Sequence, residues 1–336
     1  MTDFLISALN FSKTNWLFFA FLAPMFWALV NIIDVYFVGN IYKDELDGTI
    51  IIGLFQIIPL VFLILFLNVD MGQFIGFRTQ GKIFWLDPIL LVALLGGFLS
   101  TSAFYFYFKA LFKHNDVALL QVVWLLTIVV VPILSFLLWG EKLSFYKYLG
   151  MGVILFGATL LSMDKGLKSK ISSRYVWIML GAVIFLSFSM VFADKAYSAL
   201  SERGLGNQGF LIGFLFFSLG AFLGGMFFVI IGKRNPLPLI KRYLKIFLIS
   251  EGIFFLGEFA SQRAIDTAPS VSYVAAVETF LPVFILSFSL LILFCSLYIF
   301  KKNNQIIKKI YREQINDFWV KIVATIVMGI GVYIIS

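Results

Sequence analysis

Long apolar runs are the feature of this sequence that most constrains its fold. Stretches of about 20 residues with almost no charge recur along the chain, and a helix of that length crosses the hydrocarbon core of a bilayer. Apolar residues make up 61% of the 336 and charged residues 13%, well below the quarter that is usual in soluble domains. No water-soluble fold can hide 41 Phe residues together with this much Ile and Leu. We therefore predict an all-α integral membrane protein.

About ten of these runs are predicted to be transmembrane helices. They lie at Trp16–Val38, Thr49–Val69, Pro88–Leu111, Asp116–Trp139, Phe145–Met163, Arg174–Asp194, Gly209–Gly232, Tyr243–Ile265, Val271–Phe300 and Phe318–Ile335. The connections are short except for residues 301–317, a basic amphipathic insertion that fits an interfacial helix or a solvated linker. The expected location is a cell membrane, plasma or inner, which the chain crosses many times.

Several function classes are excluded by composition and by missing motifs. The net charge of +8 comes from Lys and Arg between the apolar runs, as in loops, so we expect the bilayer and not nucleic acid as a partner. One Cys and one His leave no cysteine cage or histidine cluster for a metal, and we expect no cofactor. The chain lacks a Gly-x-Ser-x-Gly, a His-Glu-x-x-His or a Walker A motif. We therefore predict no enzyme and no ATP-driven pump.

The sequence matches itself weakly in three places, in a consistent order. Setting Lys109 over Arg263 places the fourth span on the ninth, and setting Glu141 over Glu313 places the fifth on the tenth. The first and sixth spans also match, with an Asp near each C-terminal end. The repeat unit is therefore five spans, in residues 1–164 and 165–336. Because five is odd, the second copy must enter the membrane from the opposite face, as in the inverted repeats of secondary transporters.

A short signature ends each predicted repeat. The first copy is Leu138-Trp-Gly-Glu-Lys-Leu-Ser144 followed by Tyr148-Leu-Gly-Met-Gly-Val-Ile-Leu-Phe-Gly-Ala-Thr-Leu-Leu161, and the second runs from Glu313 to Ile335. This pattern resembles the end-of-repeat signature of EamA-type permeases in the drug/metabolite transporter superfamily. The second copy departs from it by lacking a Gly before Glu313, and the insertion at 301–317 is longer than the family's last loop. The resemblance implies ten helices, a central cavity open alternately to each side, and transport of metabolites.

Polar residues inside the apolar spans are the candidate binding residues, because a carboxylate at the membrane centre costs about 2.5–3.5 kcal/mol. Glu251 and Glu258 lie seven residues apart on one face of the eighth span, and Glu278 lies inside the ninth. We predict that Glu258 and Glu278 line a substrate- or proton-binding cavity, with Glu251 nearer one mouth. The alternative is structural: Glu251 in the headgroup region, and Glu258 paired with Arg263 or Lys109.

Further candidates have a single polar or aromatic group within a span. They are Asn31 and Asp34 on one face of the first span, Gln56 in the second, Gln121 and Trp124 in the fourth, and Tyr273 in the ninth. In the repeat alignment Trp124 stands opposite Glu278, so the two halves differ where a solute would be held.

The predicted function is secondary transport of a small metabolite by alternating access, with proton coupling as an option, by a monomer or a homodimer. A lipid flippase or scramblase using the same cavity is the alternative. Most Lys and Arg residues lie in odd-numbered loops, so the positive-inside rule places both termini outside, whereas the family resemblance implies termini inside.

Overall fold

Apolar α-helices form nearly all of the described part of the chain, with one short β-hairpin. The structure is a computed structural model, and it describes residues 15–66, 74–78, 83–114, 124–162, 173–296 and 318–336. Within these ranges we number the helices α1 (Trp16–Asn40), α2 (Glu45–Phe55), α3 (Ile57–Phe66), α4 (Pro88–His114), α5 (Thr127–Trp139), α6 (Phe145–Ser162), α7 (Ser173–Glu202), α8 (Asn207–Gly232), α9 (Leu237–Thr267), α10 (Val271–Glu278), α11 (Leu281–Phe294) and α12 (Phe318–Ile335). The hairpin strands are β1 (Ile75–Arg78) and β2 (Ile83–Leu86).

The helices confirm the all-α membrane class. In the described part of the chain, six segments are long and apolar enough to cross a membrane: Trp16–Asn40, Glu45–Leu65, Pro88–Lys113, Val176–Glu202, Asn207–Gly232 and Val271–Phe294. Helices α5, α6 and α12 are also apolar but shorter. Helix α9 is 31 residues long and carries the buried charges Glu251, Glu258 and Arg263. The chain is therefore a multi-pass membrane protein, in which helices satisfy their own backbone groups without water.

Three predicted spans contain a break in the helix. The second span divides at Gln56 into α2 and α3, and the ninth divides at Thr279 and Phe280 into α10 and α11. Each break precedes a proline, Pro59 or Pro282, which has no N–H for the carbonyl four residues earlier. In the fourth span, Leu125 and Leu126 form a turn and α5 begins only at Thr127.

The helix ends are set by local caps. The carboxylate of Asp44 accepts from the Leu46 N–H at the start of α2, and the Ser270 hydroxyl accepts from the Ser272 N–H at the start of α10. Helix α5 ends at Gly140, whose φ of 71° is the left-handed conformation that glycine adopts without strain. Helix α9 begins six residues before its predicted span and bends at Tyr243, where the backbone leaves helical geometry.

Close backbone contacts hold the bundle together. Helix α4 packs along α7 and α8, α1 along α9, and α6 along α12. Glycines of α8 lie directly against α4: a Cβ on Gly220 would lie 1.9 Å from the Leu94 carbonyl oxygen, and one on Gly224 would lie 2.9 Å from Thr101. Gly53 and Gly225 bring α2 and α8 into similar contact. Small residues thus supply the packing that the hydrophobic effect cannot supply between helices in lipid.

The connection between α3 and α4 contains a hairpin that sequence reasoning did not anticipate. Ile75 pairs with Leu86 and Arg78 with Ile83 in antiparallel register. The Asp87 N–H donates to the Phe74 carbonyl at 2.9 Å, and Asp87 accepts two hydrogen bonds from Arg203 beyond the end of α7. This ion pair attaches the base of the hairpin to the loop before α8.

Two predicted features lie outside the described residues. One is the basic insertion at 301–317, and the other is the first part of the fourth span, residues 116–123, with Gln121.

Candidate functional site

A cavity lies among the middle turns of α1, α4, α7 and α9. Phe217 of α8 and Leu281 of α11 complete its wall, together with the two residues at helix breaks, Trp124 and Glu278. The space that the centres of water molecules can reach is about 70 Å³, which is room for several waters. Its position among the central turns of apolar helices makes it the candidate functional site.

Three helices each contribute wall residues that lie on a single face of the helix. Helix α1 presents Trp27, Asn31 and Asp34, at positions i, i+4 and i+7. Helix α4 presents Ser100, Phe104 and Tyr107, and α9 presents Phe254, Glu258 and Ser261, both at the same spacing. Each of these three helices therefore directs one face toward the cavity, and that face includes at least one polar side chain.

The carboxylates in the wall accept hydrogen bonds from neutral groups. Glu258, 4% exposed, accepts from the Gln56 amide at 2.7 Å. Glu278 and the Ser261 hydroxyl are 2.5 Å apart. Asp34 lies 3.3 Å from the Tyr107 hydroxyl, which donates its shorter bond, 2.6 Å, to the Asn31 side-chain oxygen.

Sequence reasoning offered a structural alternative in which Glu258 pairs with Arg263 or Lys109. Among the described residues, Arg263 instead pairs with Asp266 and donates to Asn207 at 2.8 Å, and Lys109 bonds the Tyr105 hydroxyl at 3.1 Å. Within the described ranges, no Lys or Arg forms an ion pair with a cavity carboxylate.

The described structure brings five of the nine predicted site residues to the cavity wall. These are Asn31, Asp34, Trp124, Glu258 and Glu278.

The remaining four lie elsewhere. Gln56 stands behind Glu258, and Glu251 is buried at 5% exposure within electrostatic range of Asp34 and Glu258. Tyr273 does not line the cavity: its ring packs on Trp16 and beneath the Lys147 ammonium, 5.4 Å from the ring centre. Gln121 lies outside the described residues.

Several wall residues were not named in advance. Trp27, Ser100, Phe104 and Ser189 line the cavity, and nothing in their type marks them within apolar spans. A helical-wheel extension of the predicted face would have found Trp27, four residues before Asn31. The face of α4 that includes Tyr107 carries no candidate residue from which the same extension could begin.

A polar cluster adjoins the cavity at Gln262. The Tyr197 hydroxyl donates to the Gln262 side-chain oxygen at 2.6 Å. The next residue, Arg263, is only 1% exposed and its guanidinium lies 4.9 Å from the centre of the Phe210 ring. These contacts tie α9 to α7 and α8 at the C-terminal end of α9.

The fold and the site together define a class: a multi-pass helical membrane protein with a central cavity whose charged groups are all acidic in the described structure. No known protein-family model matches the chain, and no curated protein matches it. Solved structures do match, 24 chains in all. One, described only as "Crystal structure of protein", covers 96% of this chain and 98% of its own, with a TM-score of 0.58 and 14% sequence identity. At that identity the likeness concerns the fold alone.

Proposed function

We propose that this chain is a secondary transporter of the drug/metabolite type, moving a small solute by alternating access through its central cavity. The observation that carries the proposal is the position of Asp34, Glu258 and Glu278 around one cavity in the middle of apolar helices. Carboxylates there are costly, so they are rarely retained without a function. Sites of this kind, at the midplane and beside interrupted helices, are typical of secondary transporters.

The helix breaks support the two-repeat architecture that this proposal includes. The shift that sets Lys109 over Arg263 also sets Trp124 over Glu278, and it sets the turn at Leu125–Leu126 over the turn at Thr279–Phe280. The sequence alignment was made from apolar and small residues, whereas the breaks are features of the backbone. Their agreement is independent support for equivalence of the fourth and ninth spans.

The packing of the helices supports the same symmetry. The repeat makes the third span equivalent to the eighth and the first equivalent to the sixth. If this is right, a contact between the third and sixth spans requires one between the eighth and first. Both are present, as α4 against α7 and α9 against α1. The fourth span likewise contacts the sixth, and the ninth contacts the first, as α5 against α7 and α11 against α1. Ten crossings in two inverted halves are the simplest arrangement with this pattern.

Two ion pairs join the halves at their loops. Arg203, after α7, pairs with Asp87, before α4, and Arg234, after α8, pairs with Asp44, before α2. With ten crossings the two ion pairs lie on opposite faces of the membrane. The repeat makes the loop with Asp87 equivalent to the loop with Arg234, and the loop with Asp44 equivalent to the loop with Arg203. In alternating access each pair would hold its face closed while the other face opens.

The proposal is tested with purified protein in proteoliposomes that contain a trapped pH-sensitive dye. A panel of amines, amino acids, nucleosides and sugars is added with and without an imposed proton gradient. We expect solute-dependent uptake, with or without proton movement, that is lost in Glu258→Gln and in Glu278→Gln. Glu202→Gln, an exposed site at the end of α7, is the matched control and should transport normally.

Cross-linking tests the mechanism separately. In a Cys295→Ser background, the pairs Asp44→Cys with Arg234→Cys and Asp87→Cys with Arg203→Cys are each joined by a reducible bifunctional reagent. Either cross-link should stop uptake, and reduction should restore it. Full transport with both faces cross-linked would refute alternating access. Silence across the solute panel, with movement of fluorescent lipid between leaflets, would replace the metabolite transporter with the lipid flippase or scramblase.

A further inference from the structure

The three carboxylates around the cavity have no positively charged partner among the described residues, and few neutral donors. Glu258 accepts from Gln56 and Glu278 from Ser261, while Asp34 lies 3.3 Å from the Tyr107 hydroxyl, whose shorter bond goes to Asn31. The positively charged residue of α9 that follows Glu258 most closely is Arg263, and it is paired with Asp266. The site therefore holds acceptors and negative charge that its own described side chains leave partly unmatched.

Two buried groups next to the cavity extend this imbalance. Glu251, 5% exposed, has no hydrogen bond or ion pair among the described residues, and it lies in electrostatic range of Asp34 and Glu258. Gln56, 3% exposed, uses its amide nitrogen on Glu258, while its side-chain oxygen has no partner in the described structure. A buried acceptor without a donor is costly, and the Gln56 side-chain oxygen is such an acceptor next to the Glu258 carboxylate.

Four aromatic rings form one part of the wall. Ring centres of Trp124 and Tyr107 are 5.9 Å apart, those of Tyr107 and Phe104 are 6.1 Å apart, and those of Phe104 and Phe254 are 5.4 Å apart. These four rings form a continuous aromatic surface beside the carboxylates. Aromatic faces attract cations through their quadrupoles, and they cover the apolar part of a ligand.

An inorganic cation fits this site poorly. Within the described ranges no three Asp, Glu, His or Cys side chains are grouped to hold a metal ion. The carboxylates come from α1, α9 and α10 and share the wall with aromatic rings, whereas a metal ion would require oxygen ligands around it. A ligand with both a charged donor group and an apolar body matches what is present.

We propose that the cavity binds small protonated amines, with the ammonium on Glu258 and its neighbouring carboxylates and the hydrocarbon body against the aromatic surface. This proposal rests on the transporter function above, and it names the substrate class. The N–H donors of the ammonium match the carboxylate oxygens of Asp34, Glu258 and Glu278, and its positive charge complements this acidic wall. Neutral or anionic solutes of the same shape lack one or both of these matches.

Binding is measured by isothermal titration calorimetry on the purified full-length protein. The probes are n-butylammonium and phenethylammonium, with 1-butanol and 2-phenylethanol as neutral counterparts and butyrate and 3-phenylpropionate as anionic ones. We expect both ammonium probes to bind at least tenfold more tightly than their counterparts. Equal or tighter binding of the alcohols or the carboxylates would overturn the proposal, and this comparison needs no variant.

Variants then locate the site. Glu258→Gln and Asp34→Asn should each weaken phenethylammonium at least tenfold, whereas Glu202→Gln should leave its affinity unchanged. Unchanged affinity in both of the first two variants, each eluting as a single species, would overturn the assignment to this cavity.

The transport assay separates the two proposals. Binding of amines without their transport would leave the amine site standing and refute the transporter. Transport of other solutes without binding of amines would support the transporter and refute the amine site.

Discussion

Replacing Gly97 by Ala tests the close contact between α4 and α8. A Cβ on Gly97 would lie 1.7 Å from the Phe217 carbonyl oxygen, 2.7 Å from the Phe217 carbonyl carbon and 2.8 Å from the Ala221 amide nitrogen. All three atoms are backbone, so no side-chain rotation can relieve the overlap. The two helices must separate, and Phe217, which lines the cavity, must move with α8.

The magnitude follows from this geometry. To reach an ordinary contact distance, the backbones must move apart by about 1.5 Å, and overpacking of a core costs roughly 1–3 kcal/mol even where side chains can adjust. Because only backbone is available here, we expect about 3 kcal/mol, the upper end of that range. That is a factor of about one hundred in the unfolding equilibrium. For a chain of this length the melting temperature should fall by roughly 4 °C.

The assay is thermal unfolding of the detergent-purified protein, followed by tryptophan fluorescence and by size-exclusion chromatography after heating. Gly152→Ala and Gly252→Ala are the matched controls, because both glycines are helical and a Cβ on either meets no atom within 4 Å. These controls should be neutral or slightly stabilising, since Ala is favoured over Gly in a helix by about 1 kcal/mol. A Gly97→Ala protein as stable as the controls would refute the direct backbone contact and the packing derived from it.

Other substitutions test the loops and the buried ion pair, each read from thermal melts. Burial raises the pKa of Asp87, but hydrogen bonds from Arg203 and the Ile89 N–H lower it by more, so its pKa lies below the usual value. The stabilisation is therefore present above the usual aspartate pKa and lost as the pH falls through the lowered one. Asp87→Asn should melt below wild type at neutral pH and level with it in strong acid, and a constant difference would contradict this. Arg263→Met leaves Asp266 without its ion pair and should cost about 3–5 kcal/mol, while adding Asp266→Leu should recover most of the loss. No recovery in the double variant would contradict the pairing. Gly140→Ala should cost about 1–2 kcal/mol, because φ is 71° there, and an unchanged melt would contradict that conformation.

The sequence by itself determined the class of this protein and the positions of most of its helices. Apolar runs of bilayer length have one stable form in lipid, so composition alone was sufficient for an all-α membrane protein. The sequence also identified candidate binding residues, because a carboxylate such as Glu258 or Asp34 in an apolar helix is costly wherever the helix packs. The helical period extended that information to one face, on which Trp27 lies with Asn31 and Asp34.

Only the tertiary structure decided which faces meet. Gln56 and Glu258 are separated by 202 residues, and nothing local to either residue indicates that they bond. Glu251 and Glu258 share a face of α9, yet Glu258 lines the cavity and the buried Glu251 does not. Tyr273 was a candidate from the sequence, but Tyr107 lines the cavity and Tyr273 does not. The physical reason is that helix packing is set by small contacts, such as that of Gly97 with Phe217, and a bilayer offers no hydrophobic pattern to predict them.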